Sequence, residues 1–261
     1  MPIPDAQIHP EATGAAAKTV AAHKDKNNAA LTFYSGWFCP YVQRVWLALE
    51  EKGIPYYYEE INPYHKDEYL KINPKGLVPA IRSDGVNIYE SHILNEFLED
   101  KFPQSKRLLP ERAEQKAVAR IQMDLVTKKI IPAYFRCVQS QDVEGQKAAR
   151  KEMYDACREF GTFIDSSKGP FVGGKELDGV DIALAPWAVR QWVLDEHRGG
   201  PATEAECGQA YVKWAKAVQS HPTVLKTTSD REHYVPIYQR YLKDEAQSEA
   251  AKATRAGKVI P

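Results

Sequence analysis

The 261-residue chain has no run of about 18 consecutive apolar residues, so it offers no candidate transmembrane helix. It has no excess charge of either sign, since Lys plus Arg and Asp plus Glu each total 35. No bulk field draws it to nucleic acid or an anionic membrane, and nucleic-acid binders more usually gather a basic excess on one face. Cysteine is scarce. Cys39, Cys137, Cys157 and Cys207 are too few and too scattered for a disulfide framework or a paired-cysteine zinc site, and a reducing cytosol suits them. Residues 1–28 carry Pro2, Pro4 and Pro10 without an apolar core region, which excludes a secretory signal. They read as a flexible or loosely docked extension, dispensable for ligand binding. There is no internal repeat and no low-complexity tract.

What remains is an ordinary soluble composition, 43% hydrophobic and 27% charged, with enough apolar mass for one large domain or two ordinary ones. From Ala29 the pattern is β then α. Leu31 to Tyr34 reads as a strand and Ser35-Gly36-Trp37-Phe38 as a turn. Pro40 suits the first position of a helix, and Val42, Val45, Trp46 and Leu49 follow at the spacing of one buried helical face. Gly53 and Pro55 end that helix. Tyr56 to Ile61 reads as a second strand, placed parallel to the first by the right-handed crossover rule. A short polar helix is expected around Lys66 to Ile72. Ala80-Ile81-Arg82 and Val86-Asn87-Ile88 around Ser83-Asp84-Gly85 form a hairpin, and Ile93, Leu94, Phe97 and Leu98 mark another amphipathic helix.

Beyond Pro110 the strand signals stop. Long helical stretches are expected over 111–139, 144–167, 178–197, 204–220 and 230–253. The fold class is therefore α/β plus all-α: a βαβαββα thioredoxin-like domain over 29–105 and an all-helical domain over 111–261. In the helical half, Asp178 and Asp181 are spaced to close a capping box. The helix after them, with Ile182, Leu184, Trp187, Val189 and Trp192, is apolar nearly all round and so belongs in a core, with a kink expected at Pro186.

The chemistry centres on Cys39. It sits where a strand turns into a helix, and unpaired amides at a helix N-terminus favour the thiolate, the reactive form. A dithiol oxidoreductase would have a second cysteine three residues on, but that position is Val42. A lone thiol cannot resolve its own mixed disulfide and must borrow one, for which glutathione is the abundant cytosolic candidate. A free cysteine is ordinarily buried and inert; that reading stands for Cys137, Cys157 and Cys207, while the Cys-Pro placement reverses it for Cys39. Val78-Pro79 needs a reason, because proline at a strand start removes a ladder donor. A cis bond turning Val78 towards a ligand is one, and an ordinary edge proline is the other. Glu90-Ser91 precedes a helix, with Ser91 a good N-cap; its free amides suit a charged peptide ligand, although plain capping explains them as well.

Taken together, Phe38-Cys39-Pro40-Tyr41 with Arg44, Asn73-Pro74-x-Gly76-x-Val78-Pro79, Tyr89-Glu90-Ser91, Asp178-x-x-Asp181-Ile182 and His221-Pro222-Thr223-Val224 resemble the cytosolic glutathione transferases, specifically the omega class and its fungal omega-like relatives. The resemblance runs from about Leu31 to Leu242. It implies the cytosolic glutathione transferase fold, glutathione as co-substrate, no metal, a homodimer in the cytoplasm, and a hydrophobic or S-glutathionyl second substrate. It implies that Cys39 forms a mixed disulfide with glutathione beside Phe38 and that Lys66 faces the glycyl carboxylate. Val78, held by cis Pro79, would pair with the cysteinyl backbone; Glu90 and Ser91 would take the γ-glutamyl amine and carboxylate; and Tyr234 would line the second-substrate site. The implied activities are thiol transfer, reductive deglutathionylation of phenacyl-type adducts, and dehydroascorbate reduction. Two rivals share the fold. One is a conjugating transferase in which Tyr34 or Tyr41 activates glutathione. The other is a non-enzymatic ligand carrier or chloride-channel-like protein, against which Gln43, Arg44, Glu50, Glu51 and Lys52 weigh by making the first helix unsuited to a membrane.

Overall fold

The structure is a computed structural model and describes residues 8–62 and 67–261. The chain divides into two compact units, one formed by residues 9–110 with 220–233, the other by residues 111–219 with 234–261 and Ile8.

In the first unit a helix α1 (Gly14–Ala22) precedes strand β1 (Thr32–Ser35), helix α2 (Pro40–Lys52), strand β2 (Tyr57–Glu60), the hairpin β3 (Ala80–Ser83) and β4 (Val86–Tyr89), and helix α3 (Ser91–Lys101). The sheet order is β2-β1-β3-β4, with β1 and β2 parallel and the other pairs antiparallel. The crossover through α2 is long enough for the parallel pair, whereas the β3–β4 turn uses Asp84 and Gly85 at φ 49° and 79°, the left-handed pair that a two-residue hairpin demands. Alternation along β1 points Phe33 and Ser35 inward. There Phe33 meets Tyr56 and Tyr58 edge-on, each at 5.9 Å between ring centres, and Trp46 of α2 packs on Tyr58 and donates its indole N–H to the Tyr56 hydroxyl at 2.6 Å. The helix expected over Lys66 to Ile72 is reduced, among the described residues, to a single 3₁₀ turn at Tyr69–Lys71. Its length is cut by Asn73, whose side chain turns the backbone by bonding Leu77 O and the Lys75 amide.

Two expectations about boundaries give way here. Among the described residues, the extension is docked from Thr13 to His23. Thr19 of α1 donates to Lys226 O at 2.7 Å, Thr13 and Asp230 are bonded together, and the Tyr58 amide donates to His23 O at 2.8 Å. At the open edge of β2 the Tyr58 amide is thereby paired, and its carbonyl accepts from Lys24 Nζ at 3.1 Å, which satisfies backbone groups that an edge strand leaves exposed. Helix α11 (Pro222–Lys226) and its flanks likewise belong with this unit rather than with the helical domain. Gln43 of α2 donates to Thr227 O and to the Thr228 hydroxyl, and Lys226 pairs with Glu50 at 2.5 Å.

The second unit is helical: α4 (Ala113–Leu125), α5 (Ile131–Gln139), α6 (Val143–Asp165), α7 (Gly179–Val189), α8 (Trp192–His197), α9 (Glu204–Cys207), α10 (Gln209–Ser220), α12 (Arg231–Leu242) and α13 (Glu249–Arg255). The expected long helices are cut more finely than their periodicity suggests. Between α4 and α5 the chain passes through a π turn, Val126–Ile130; Pro132 has no N–H to return to the preceding turn, and a one-residue bulge absorbs the mismatch. Gly208 at φ 84° and Asp244 at φ 55° break the stretches over 204–220 and 230–253, and the stretch over 178–197 parts between Val189 and Trp192. The capping box forms as its spacing indicated. Asp178 accepts from the Val180 and Asp181 amides, and Asp181 accepts from the Asp178 amide.

Candidate active site

Cys39 is the N-cap of α2. Its N–H donates to Gly36 O at 2.9 Å and its carbonyl accepts from the Gln43 amide at 3.1 Å, closing the turn and opening the helix in one residue. The peptide between Val78 and Pro79 is cis, and the Cys39 sulfur lies 3.9 Å from Val78 O. Gly36 sits beneath Val78, since a Cβ there would come within 3.4 Å of the valine side chain. That is an ordinary van der Waals separation, so the loops carrying Cys39 and Val78 are neighbours without their approach depending on the missing side chain. The loop from Asn73 to Val78 is pinned further by Tyr69, whose hydroxyl donates to Leu77 O at 2.8 Å.

Of the four cysteines only Cys39 is partly exposed. Burial pushes the Cys137 and Cys207 thiols up to about 11 and the Cys157 thiol well above its ordinary range. Protonated and enclosed, these three are poor nucleophiles.

Behind the turn lies Arg44, buried in α2. Burial lowers its pKa to about 10, against the opposing effect of Tyr41 and Cys39, so it stays cationic at neutral pH. Its guanidinium reaches the Ser91 hydroxyl at 3.4 Å and His92 Nε2 at 3.0 Å, and it stands over the Tyr41 ring. Ser91 is not the N-cap expected of it. It is the first residue of α3, and the cap position falls to Glu90, which makes no side-chain capping bond. Glu90 has φ 76°, a conformation that costs a non-glycine residue on the order of 1–3 kcal/mol and concentrates at ligand clamps. Its carboxylate lies 2.6 Å from Lys75 Nζ, a partner that sequence reasoning missed, although Lys75 stands inside the motif that drew attention to Val78.

Phe38 flanks Cys39 and is half-buried, its ring edge-on to Trp37 at 5.7 Å. Lys66 lies outside the described residues. Tyr234 belongs to the helical unit, where it is buried under the Arg190 guanidinium at 5.0 Å. Of the rival tyrosines, Tyr41 is held protonated, because burial pushes its hydroxyl up and Arg44 only partly offsets this. Among the described residues no group of three or more His, Cys, Asp and Glu side chains could hold a metal ion, and no helix is long and apolar enough to cross a membrane.

Residues 38–101 match the family described as Glutathione S-transferase, N-terminal domain. The chain is 32% identical over 164 residues to glutathione S-transferase omega-1 of Sus scrofa, covering 62% of this chain and 67% of that protein. Among solved structures, glutathione transferase Omega 3C from Trametes versicolor superposes with a TM-score of 0.82 at 48% identity, over 91% of this chain and 100% of that one. The chain belongs to the omega-like glutathione transferases. Rice GST1, solved in complex with glutathione, is a more distant neighbour at 26% identity and a TM-score of 0.72, covering 82% of this chain and 98% of that one. In this transferase the Cys39 turn, the cis Val78–Pro79 peptide and the Glu90–Ser91 helix start all lie in the thioredoxin-like unit.

Proposed function

We propose that this glutathione transferase is a thiol transferase and deglutathionylating reductase that works through the single cysteine Cys39. The observation that carries the reading is the placement of one accessible thiol at the N-cap of α2, 3.9 Å from the Val78 carbonyl beside a cis proline, while the other three cysteines are buried.

In the first half-reaction the Cys39 thiolate attacks the glutathionyl sulfur of a mixed disulfide. A Cys39–glutathione disulfide forms and the other thiol leaves as its thiolate. In the second, the thiolate of a free glutathione attacks the glutathione sulfur bonded to Cys39, releasing oxidised glutathione and returning the Cys39 thiolate. Peptide amides at the start of α2 offer partial positive charge to that thiolate in both halves. The Val78 backbone, with its N–H and C=O free of the β3 ladder, is suited to pair with the cysteinyl residue of glutathione. Glu90 takes the γ-glutamyl ammonium and Ser91 its carboxylate, with Arg44 behind Ser91 as a fixed cation. Phe38 covers the disulfide, and Tyr234 lines the second-substrate site. Two-electron reduction of small oxidants such as dehydroascorbate follows from the same cysteine cycle, with two glutathiones oxidised per substrate. The enzyme is taken to act in the cytosol as a homodimer.

Intact mass measured after incubation with oxidised glutathione tests this directly. One glutathionyl adduct, mapped to Cys39 and removed by excess glutathione, is the expected result. An adduct confined to another cysteine would sink the assignment.

A further inference from the structure

Glu60 ends β2 beneath the turn that presents Cys39. Its Oε1 accepts from the Trp37 backbone N–H at 2.9 Å and its Oε2 from the Tyr58 hydroxyl at 2.9 Å. The rest of the turn is held by the Ile61 amide on Ser35 O at 2.7 Å, the Cys39 amide on Gly36 O, and the Trp37 indole N–H on His9 O at 2.9 Å. Trp37 is 1% exposed, so bulk water does not replace an acceptor lost there. The Trp37 ring also braces Phe38, the neighbour of Cys39.

We propose that Glu60 is a positioning residue for the Cys39 sulfur, fixing the Gly36–Cys39 turn through the Trp37 amide without touching substrate itself. The proposal rests on Cys39 being the nucleophile.

A carboxyl group in this place has a second consequence. Burial pushes Glu60 up to about 7, against the lowering effect of the Trp37 amide, the Tyr58 hydroxyl and the Lys24 ammonium, while Glu11 adds repulsion. Glu60 therefore changes charge near neutral pH. In its ionised form both oxygens accept, but a negative charge then stands at the turn from which the thiolate must form, and like charges oppose each other. Glutamine keeps a carbonyl oxygen for the Trp37 amide and removes the charge. Alanine removes both.

The test compares full-length wild type, Glu60→Gln and Glu60→Ala. The rate of Cys39 glutathionylation by oxidised glutathione is followed by intact mass from about pH 5 to about 9, with steady-state kcat and KM for glutathione in parallel. Glu60→Ala should attack about ten-fold more slowly across the range, as expected for one lost buried hydrogen bond to the turn, with KM changed by no more than about two-fold. Glu60→Gln should match wild type below about pH 6 and exceed it several-fold above neutrality, where only wild type carries the charge. Equal rates for Glu60→Ala and wild type would overturn the proposal. So would Glu60→Gln as slow as Glu60→Ala; if the alanine variant fails to fold, Glu60→Met, which fills the space but offers no oxygen to the Trp37 amide, takes its place, and a wild-type rate for it would equally overturn the proposal. A wild-type adduct at a cysteine other than Cys39 would remove the underlying reading instead, and it is seen before any variant is compared.

Discussion

Replacing Asp181 by alanine should damage folding and not chemistry. Its carboxylate is fully buried and accepts four hydrogen bonds: from the Val172 amide at 2.9 Å, the Gly173 amide at 3.1 Å, the Asp178 amide at 3.0 Å and the Trp214 indole at 2.8 Å. It thus ties the start of α7 to the preceding loop and to α10. Alanine leaves four buried donors without an acceptor, each costing about 1–3 kcal/mol. Two effects soften the sum. Water can enter the vacated space, and the variant no longer pays for burying a carboxylate, a cost visible in the way burial and the backbone donors compete over its pKa, with burial winning and pushing it up. A net loss of about 4 kcal/mol is the working figure, against a total stability of about 5–15 kcal/mol. At about 2–4 °C per kcal/mol for a domain of this size, the melting temperature should fall by about 8–16 °C. Asp178→Ala removes the acceptor for two amides, Val180 and Asp181, and should cost about half as much. Thermal and urea unfolding of the three proteins measure this, with thiol transferase activity assayed well below the transitions. An Asp181→Ala protein that melts within about 2 °C of wild type, or one that is stable but inactive, would refute the reasoning.

Cys39→Ser cannot form a mixed disulfide, so disulfide exchange should fall to background. Glutathione affinity, measured by calorimetry, should persist, and weak conjugation to chlorodinitrobenzene is expected from a hydroxyl that can still donate to the glutathione sulfur; retained wild-type exchange would move the chemistry to another cysteine. Glu50 is desolvated by burial, yet bonds from His23, Lys226 and Tyr56 outweigh this and hold its carboxyl down at about 2. Because the folded pKa lies below the ordinary value of about 4.5, its stabilisation is complete above about pH 4.5 and is lost as pH falls towards 2, up to about 3 kcal/mol before partial solvent screening and about 1–2 kcal/mol after it. Glu50→Gln should therefore flatten the acid limb of the stability curve, and an unchanged limb would assign acid sensitivity elsewhere. Deleting residues 1–28 should lower stability and slow Cys39 modification, since it uncovers the β2 edge and removes His9 from the Trp37 indole and His23 from Glu50; a truncated protein with wild-type melting and kinetics would restore the view of that segment as a passive extension.

Much of the molecule was legible in the order of its residues because the signals are local. Strand alternation around Phe33, the helical face of Val42, Val45, Trp46 and Leu49, and the Asp178–Asp181 cap each involve groups within a few positions of one another, where backbone geometry alone brings them together. Cys39 could be singled out for the same reason, as proline at the next position and a glycine turn before it place the thiol at a helix start. A proline where a strand should begin left a cis peptide and an ordinary edge proline both open at Pro79, and only the family resemblance favoured the cis form. Tertiary structure decided what depends on approach between distant segments. The pairing of Lys75 with Glu90, the bond from Glu60 to the Trp37 amide, and the convergence of His23, Tyr56 and Lys226 on Glu50 leave no periodic trace, because a charged residue on a solvated face and one in a buried network look alike in sequence. The docking of residues 8–28 at the β2 edge and of 220–233 against α1 and α2 was hidden for the same reason: each segment is held by backbone carbonyls and single side chains that only the folded path makes available.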